Sequence, residues 1–222
     1  MRILFVAATE FEVESLFRSE DIGAKSQDKT HFSLLSPHHS LLITGVGMVA
    51  TAYALGCELA KNQYDLVINL GIAGSFDRSI ALGDIVEITE DTLAELGAED
   101  DEAFLPITQM GFGESTFKAT ESLNNFYKTA TLKQATAITV NTVHGNEASI
   151  KKVQARLNAQ IESMEGAAFF YACREAGAPC LQIRAVSNYV EKRNRDNWQI
   201  GLAVKNLNTF ATALVAELQQ LL

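Results

Sequence analysis

The apolar positions of the chain fall into short, dense blocks set apart by glycine, aspartate, proline and polar residues. Six blocks are rich in β-branched residues: "RILFVAA" (2–8), "SLLITGVG" (40–47), "DLVINLGIAG" (65–74), "GDIVEIT" (83–89), "TAITVNTV" (136–143) and "APCLQIRAVS" (178–187). Their length and near-continuous hydrophobicity predict buried strands. Helix-like stretches follow several of them, at 48–63, 149–158, 165–177 and 200–222. Strand and helix alternate for much of the chain, which predicts an α/β fold. The expectation is a single domain over residues 1–222, with a central mixed, mostly parallel β-sheet flanked by helices. No repeat, low-complexity tract or Pro/Gly/Ser-rich linker interrupts it, and the acidic run "ELGAEDDE" reads as a solvated loop.

Composition narrows the partners. With 27 Asp and Glu against 18 Lys and Arg, the net charge is -9, which argues against attraction to nucleic acid or an anionic membrane. The apolar run at the start is too short for a signal-peptide core or a membrane span, so it reads as the first core strand of a cytoplasmic protein. Cys57, Cys173 and Cys180 are odd in number, lie among apolar neighbours and lack metal-ligand spacing, which predicts buried free thiols.

In an α/β sheet, ligands bind at the carboxyl ends of the strands, so the residues just past each block are the first to weigh. They are Thr9, Glu10 and Glu12; Gly45 and Gly47; Gly71, Ala73, Gly74 and Ser75; His144 and Asn146; and Ser187 and Asn188. The pairs "GVG" and "GIAG" let backbone N–H groups approach a ligand, and a helix opening after Gly47 could hold an anion; a tight strand-to-helix turn explains them equally. Neither is a dinucleotide fingerprint, and there is no P-loop motif. Glu10 and Glu12 are either helix-start acids or site carboxylates. Glu165 precedes the apolar helix "GAAFFYAC" and needs a partner there, so it either caps that helix or binds a polar ligand. Asn188 reads as a turn former or a ligand contact, and His144 as a polar loop residue. The loop after Asn188 gathers Lys192, Arg193 and Arg195 in an otherwise acidic chain.

In combination these residues say more. "NLGIAGS", "LGDIVEI", "ESMEGAA" and "IRAVSN" stand in the order and at about the spacing of the nucleoside phosphorylase and nucleosidase superfamily, which the chain resembles from first strand to last helix. In the methylthioadenosine/S-adenosylhomocysteine nucleosidase branch the last two motifs read close to M-E-A-A and R-A-I-S-D, whereas here the acid is replaced by Asn188. "VAATEFEVE", "ELGAED" and "SNYVEKRNRDNW" are similar to the futalosine hydrolase branch, nucleosidases of menaquinone biosynthesis.

This resemblance implies Glu12 as the general base that activates water, Met164 packed on the ribose, and Glu165 accepting from its hydroxyls. It implies Asn188 at the departing base, with Gly74 lining the pocket. Cleaving an N-glycosidic bond builds positive charge on the sugar and negative charge on the base, so a carboxylate at the ribose and donors at the purine fit the reaction. Futalosine also ends in a benzoate carboxylate, which guanidinium groups hold well; Arg193 and Arg195 are the candidates, with Arg184 structural inside its strand. A basic loop balancing an acidic surface is the other reading of that cluster. The superfamily's purine-stacking aromatic is missing from "HGNEASI", and Phe104, Phe112 or Tyr189 are the possible substitutes. No metal or cofactor is expected. The partners expected are a small-molecule nucleoside substrate and further copies of the chain, as a dimer or tetramer. A phosphorylase is the nearest rival, yet the chain has no arginine between Arg18 and Arg78 to hold phosphate near the glycine turns. A methylthioadenosine/S-adenosylhomocysteine-type or inosine nucleosidase is a further alternative, and a non-catalytic nucleoside-binding protein is the most distant one.

Overall fold

All six apolar blocks form strands in a computed structural model, which describes residues 1–16, 31–34, 38–127, 129 and 131–220. In chain order the strands are β1 (Ile3–Ala7), β2 (His31–Leu34), β3 (His39–Ile43), β4 (Leu66–Ser75), β5 (Ile85–Leu93), β6 (Gly97–Asp100), β7 (Ala103–Pro106), β8 (Thr116–Lys118), β9 (Lys133–Thr139), β10 (Ile161–Ser163) and β11 (Cys180–Tyr189). The helices are α1 (Met48–Leu59), α2 (Glu147–Arg156), α3 (Gly166–Ala176) and α4 (Ile200–Gln219).

The strands lie in the order β10-β9-β5-β11-β4-β1-β3-β2, with β8 added alongside β5. Pairings β3–β1, β1–β4, β4–β11, β5–β9 and β9–β10 are parallel, and the others in this sheet are antiparallel. β10 also pairs with β4, so β4, β11, β5, β9 and β10 close into a ring. The expected mixed, mostly parallel sheet is therefore present, and one part of it is rolled up. β10 was not foreseen: three residues between two helical patterns carry no period of their own.

The sheet buries both faces, as its continuous apolar strands require. On one face, Leu207, Phe210, Leu214 and Leu218 of α4 pack against Phe5, Ile68 and Ile183. On the other, Leu55 of α1 and Phe169 and Phe170 of α3 pack against Val6, Val67 and Val186. Helices thus cover the sheet from both sides and leave its strand ends open between them.

Two expectations need correction. The run "ELGAEDDE" is not a plain loop: β6 lies within it and pairs with β7, Gly97 opposite Pro106 and Asp100 opposite Ala103, because Asp101 turns the chain at a positive φ of 53°. Cys173 and Cys180 are buried as expected, but Cys57 is exposed, since α1 turns that side away from the sheet.

Candidate active site

The site assembles where β1, β4 and β11 end. After β1 the chain enters a 3-10 turn, Glu10–Leu16, kinked at Val13, that folds Glu12 back over the sheet while Glu10 points to solvent. Glu12 is 8% exposed. Its Oε2 accepts both the N–H and the hydroxyl of Thr9 at 3.0 Å, and its Oε1 accepts the Ile72 N–H at 3.0 Å. Burial pushes the Glu12 pKa up, and the nearby Glu165 charge pushes the same way, against the Ile72 N–H, Arg184 and Thr9.

Glu165 occupies the N-cap position of α3, but its side chain makes no cap bond. It reaches instead to the start of another helix. Its Oε1 accepts the N–H of Gly47, the residue before α1, at 2.9 Å, and its Oε2 accepts the Met164 N–H at 3.3 Å. Gly47 has φ 95°, a conformation open to glycine and closed to most side chains, so the turn aims its N–H at the acid. The "GVG" turn therefore does hold an anion at a helix start, and that anion belongs to the protein. Met164 sits beside Glu165, half-buried.

Asn188 is turned into place by a bulge. β11 runs parallel to β4 until the register slips between Val186 and Asn188, which leaves Ser187 unpaired and sets Asn188 opposite Gly74. A one-residue slip reverses the faces, so Asn188 leaves the side of Arg184 and Val186 for the side of Gly74. A Cβ on Gly74 would stand 2.9 Å from Val190 Cγ2 and 3.2 Å from Asn188 Nδ2, so any side chain there would have to push one of them aside. The Ser187 hydroxyl lies 2.9 Å from Asn188 Oδ1, and Asn188 Nδ2 donates to the Tyr189 carbonyl at 3.1 Å. One amide N–H is left over for a ligand.

The basic loop is tethered to this site at both ends. Val190 N–H donates to the Ser75 carbonyl at 2.8 Å, and Gln199 N–H to the Ser187 carbonyl at 2.7 Å. Between them Arg193 and Arg195 are exposed, and their guanidinium carbons stand 5.0 and 5.8 Å from the centre of the Trp198 ring. Trp198 was missed from the sequence, where it closes a polar stretch and shares no apolar period with its neighbours. Arg184 lies within its strand as expected, 1% exposed in β11, and its charge acts on Glu12.

The remaining candidates have local duties. Asn146 caps α2, its Oδ1 accepting from Ala148 and Ser149 N–H groups at 2.9 and 3.3 Å. His144 is more than a loop residue: its Nδ1 meets Glu162, which also accepts the His144 N–H at 2.9 Å, and that contact raises the histidine pKa. Of the three aromatics, Phe104 lies under Arg156 and Tyr189 under Arg78, at 3.9 and 4.2 Å, while Phe112 is 75% exposed.

Known proteins share this architecture. Futalosine hydrolase of Streptomyces coelicolor is 33% identical over 216 residues, covering 93% of this chain and 92% of its own. A solved futalosine hydrolase of Helicobacter pylori superposes with a TM-score of 0.77 at 15% identity, covering 100% of this chain and 98% of its own. The 5'-methylthioadenosine/S-adenosylhomocysteine nucleosidase of Helicobacter pylori, solved with butyl-thio-DADMe-Immucillin-A, has a TM-score of 0.78 at 16% identity, covering 99% of this chain and 98% of its own. The family model of the phosphorylase superfamily matches residues 2–222, and the chain belongs to that superfamily.

Proposed function

We propose that this protein is a nucleosidase that hydrolyses the N-glycosidic bond of futalosine, releasing hypoxanthine and dehypoxanthine futalosine, as a step of menaquinone biosynthesis. The observation that carries the chemistry is the buried Glu12 carboxylate, held by three donors, with Glu165 close enough to raise its pKa. A carboxylate so held is a defined base. Water attacks the anomeric carbon, its proton passes to Glu12, the C–N bond breaks, and its electron pair leaves with the purine. Glu165 accepts from the ribose hydroxyls and offsets the charge that builds on the sugar, with Met164 against the ring. Asn188, beside Gly74, donates to the departing hypoxanthine, whose N7 and O6 are both acceptors.

The likeness to futalosine hydrolase of Streptomyces coelicolor supports this substrate. So does the pairing of Trp198 with Arg193 and Arg195: an indole face and two guanidinium groups suit an aromatic carboxylate. Among the described residues neither arginine forms an ion pair, whereas Arg78 is already paired with Glu191.

We further propose that residues 1–222 act as one cytoplasmic domain that works as a homo-oligomer. Among the described residues no helix is long and apolar enough to cross a membrane. Val49 and Tyr53 of α1 and Tyr171 of α3 are 78%, 74% and 43% exposed and flank one apolar hollow beside Gly47 and Glu165, a face suited to a second copy.

The test is chromatographic assay of base release from futalosine, inosine, methylthioadenosine and adenosylhomocysteine, with and without phosphate. Futalosine should give the highest kcat/KM and need no phosphate. A requirement for phosphate would make the protein a phosphorylase, and turnover of adenine nucleosides alone would overturn the substrate.

A further inference from the structure

The ring of β4, β11, β5, β9 and β10 has a polar interior at the end beneath the site. Asp91, Thr139 and Gln182 are each 0% exposed, and Asn69 and Arg184 1%. Asp91 comes inward because β5 is bulged: its register with β9 slips between Ile88 and Glu90, which turns an outward position into an inward one. One Asp91 oxygen accepts the Thr139 hydroxyl at 2.9 Å, and the other accepts Gln182 Nε2 at 3.0 Å. Gln182 Oε1 in turn accepts from Arg184 Nη2 at 3.3 Å, and Asn69 Oδ1 accepts from the same nitrogen.

The direction of this chain is forced. A guanidinium only donates, so the Gln182 amide must turn its oxygen to Arg184 and its nitrogen to Asp91, which must then offer a lone pair. Among the described residues Arg184 Nε has no hydrogen-bond partner, so the orientation of the guanidinium rests on its Nη nitrogens. Nη1 lies 2.1 Å from where a Cβ on Gly71 would stand, and Glu12 Oε1 lies 3.2 Å from the same point. The guanidinium thus abuts the strand that donates Ile72 N–H to Glu12. At the other end, a Cβ on Gly166 would stand 2.0 Å from Asp91 Oδ2 and 2.3 Å from Gln182 Oε1. The sequence has Gly166 where the resembling nucleosidase branch has alanine, at the one position of α3 that this pair would not let a side chain occupy.

We infer that Asp91 is a positioning residue for the reaction: through Gln182 it aims the Arg184 guanidinium at the Gly71–Ile72 stretch of β4 and balances its charge, and so sets the basicity of Glu12. The charged groups around Asp91 are Arg184 on β11 and Glu165 at the start of α3, with Thr139 of β9 and Gln182 of β11 as neutral partners. Both Asp91 oxygens accept from side-chain donors, as an ionised carboxylate does, and Gln182, Thr139 and Arg184 oppose the burial that raises its pKa to about 6. Two negative charges, Asp91 and Glu12, then flank one buried cation. Removing the Asp91 charge leaves the field of Arg184 on Glu12 less opposed, and Glu12 becomes a weaker base.

This inference rests on Glu12 being the base, and the experiment separates the two. Carbon-13 NMR titration of the Glu12 carboxyl in wild type and Asp91→Asn reads the coupling without any turnover, and kcat/KM against pH for futalosine reads it through the reaction. In Asp91→Asn the Glu12 pKa, and with it the acid limb of kcat/KM, should fall by on the order of half a pH unit or more. The double variant Asp91→Asn with Gln182→Glu moves the carboxylate next to Arg184 and reverses the hydrogen bonds with every partner kept, so it should bring both back to the wild-type value or above. If Asp91→Asn does not fold, the double variant decides alone, by whether its Glu12 pKa reaches at least the wild-type value. A Glu12 pKa unmoved in Asp91→Asn, or a double variant that stays below wild type, overturns the inference. A Glu12 pKa that moves while the acid limb does not would keep the coupling and remove Glu12 from the role of base.

Discussion

The Glu12 carboxylate accepts the Ile72 N–H at 3.0 Å, a bond that ties the turn after β1 to β4 and fixes one carboxylate oxygen over the sheet end. Glu12→Gln keeps the size and loses the base, so turnover of futalosine should fall by about two to four orders of magnitude. The amide has one acceptor where Glu12 serves three donors with two oxygens, so folding stability should also fall, by about 1–3 kcal/mol. Base-release assays and thermal melting check both. In the wild type kcat/KM should drop as pH falls through the raised Glu12 pKa, because the base must be ionised. A Glu12→Gln enzyme as fast as wild type would remove Glu12 from the chemistry.

Arg193→Ala and Arg195→Ala should each weaken kcat/KM for futalosine far more than for inosine, which has no distal carboxylate. A lost charge-assisted bond is worth about 1.5–3 kcal/mol, or roughly ten- to a hundredfold. Trp198→Ala should show the same bias, since both guanidinium groups lie at its ring. Equal losses on the two substrates would make this loop a structural feature.

What was legible in the sequence follows from where the information lies. The buried strands are dense in Val, Ile and Leu, so β1, β3, β4, β5, β9 and β11 stand out without a structure. Glu12, Met164, Glu165 and Asn188 were named because they sit at strand or helix ends within a recognisable order of motifs. The Gly47–Glu165 bond was not legible, since 118 residues separate its partners and only the fold brings two helix starts together. Nor were the two bulges. Register slips at Thr89 and Ser187 decide that Asp91 faces inward and Asn188 outward, and a slip depends on the neighbouring strand, which a single segment does not display.

The exposed apolar face around Val49 and Tyr53 predicts self-association. Val49→Glu puts a charge in the middle of it, at a position already 78% exposed, so the fold of one chain should be untouched. Light scattering should show a wild-type mass that is a multiple of 24.2 kDa and a variant shifted toward one copy. A wild type that runs as a single chain would remove the second copy from the proposal.

The raised pKa of Asp91 makes a signed prediction for stability. The fold moves this carboxyl from an ordinary value of 3.8 to about 6, so between those values the folded state binds more proton than the unfolded one. Stability from this group is fully present below about 3.8 and is lost as pH rises through 6, by an amount on the order of a few kcal/mol. Asp91→Asn does not titrate. The stability of Asp91→Asn relative to wild type should therefore rise as pH goes from 4 to 7, measured by urea midpoints at each pH. A difference that stays constant would show that the carboxyl has the same pKa in both states.

Asn188→Asp should move preference from hypoxanthine toward adenine nucleosides. In the wild type the amide nitrogen gives one N–H to the Tyr189 carbonyl at 3.1 Å and has one left for the base. An ionised Asp has neither. The oxygen that replaces the amide nitrogen would face both the Tyr189 carbonyl and the O6 and N7 lone pairs of hypoxanthine, acceptor against acceptor in a half-buried site, while the other oxygen stays at the Ser187 hydroxyl. Futalosine cleavage should therefore fall steeply at neutral pH and recover toward acid pH, where the carboxyl takes up a proton and becomes a donor. The recovery has an upper bound, because Glu12 must stay ionised and loses its charge as pH falls further. A narrow optimum between the two titrations is the expected profile. Gain on adenine nucleosides should be smaller than the loss on futalosine, since one substitution does not rebuild the hydrogen bonds that a 6-amino group needs. The measurement is kcat/KM for futalosine and methylthioadenosine from pH 5 to 8 on both proteins. A substrate ratio unchanged across that range would show that Asn188 does not read the base, and the assignment of hypoxanthine would then have to rest on the loop of Arg193, Arg195 and Trp198.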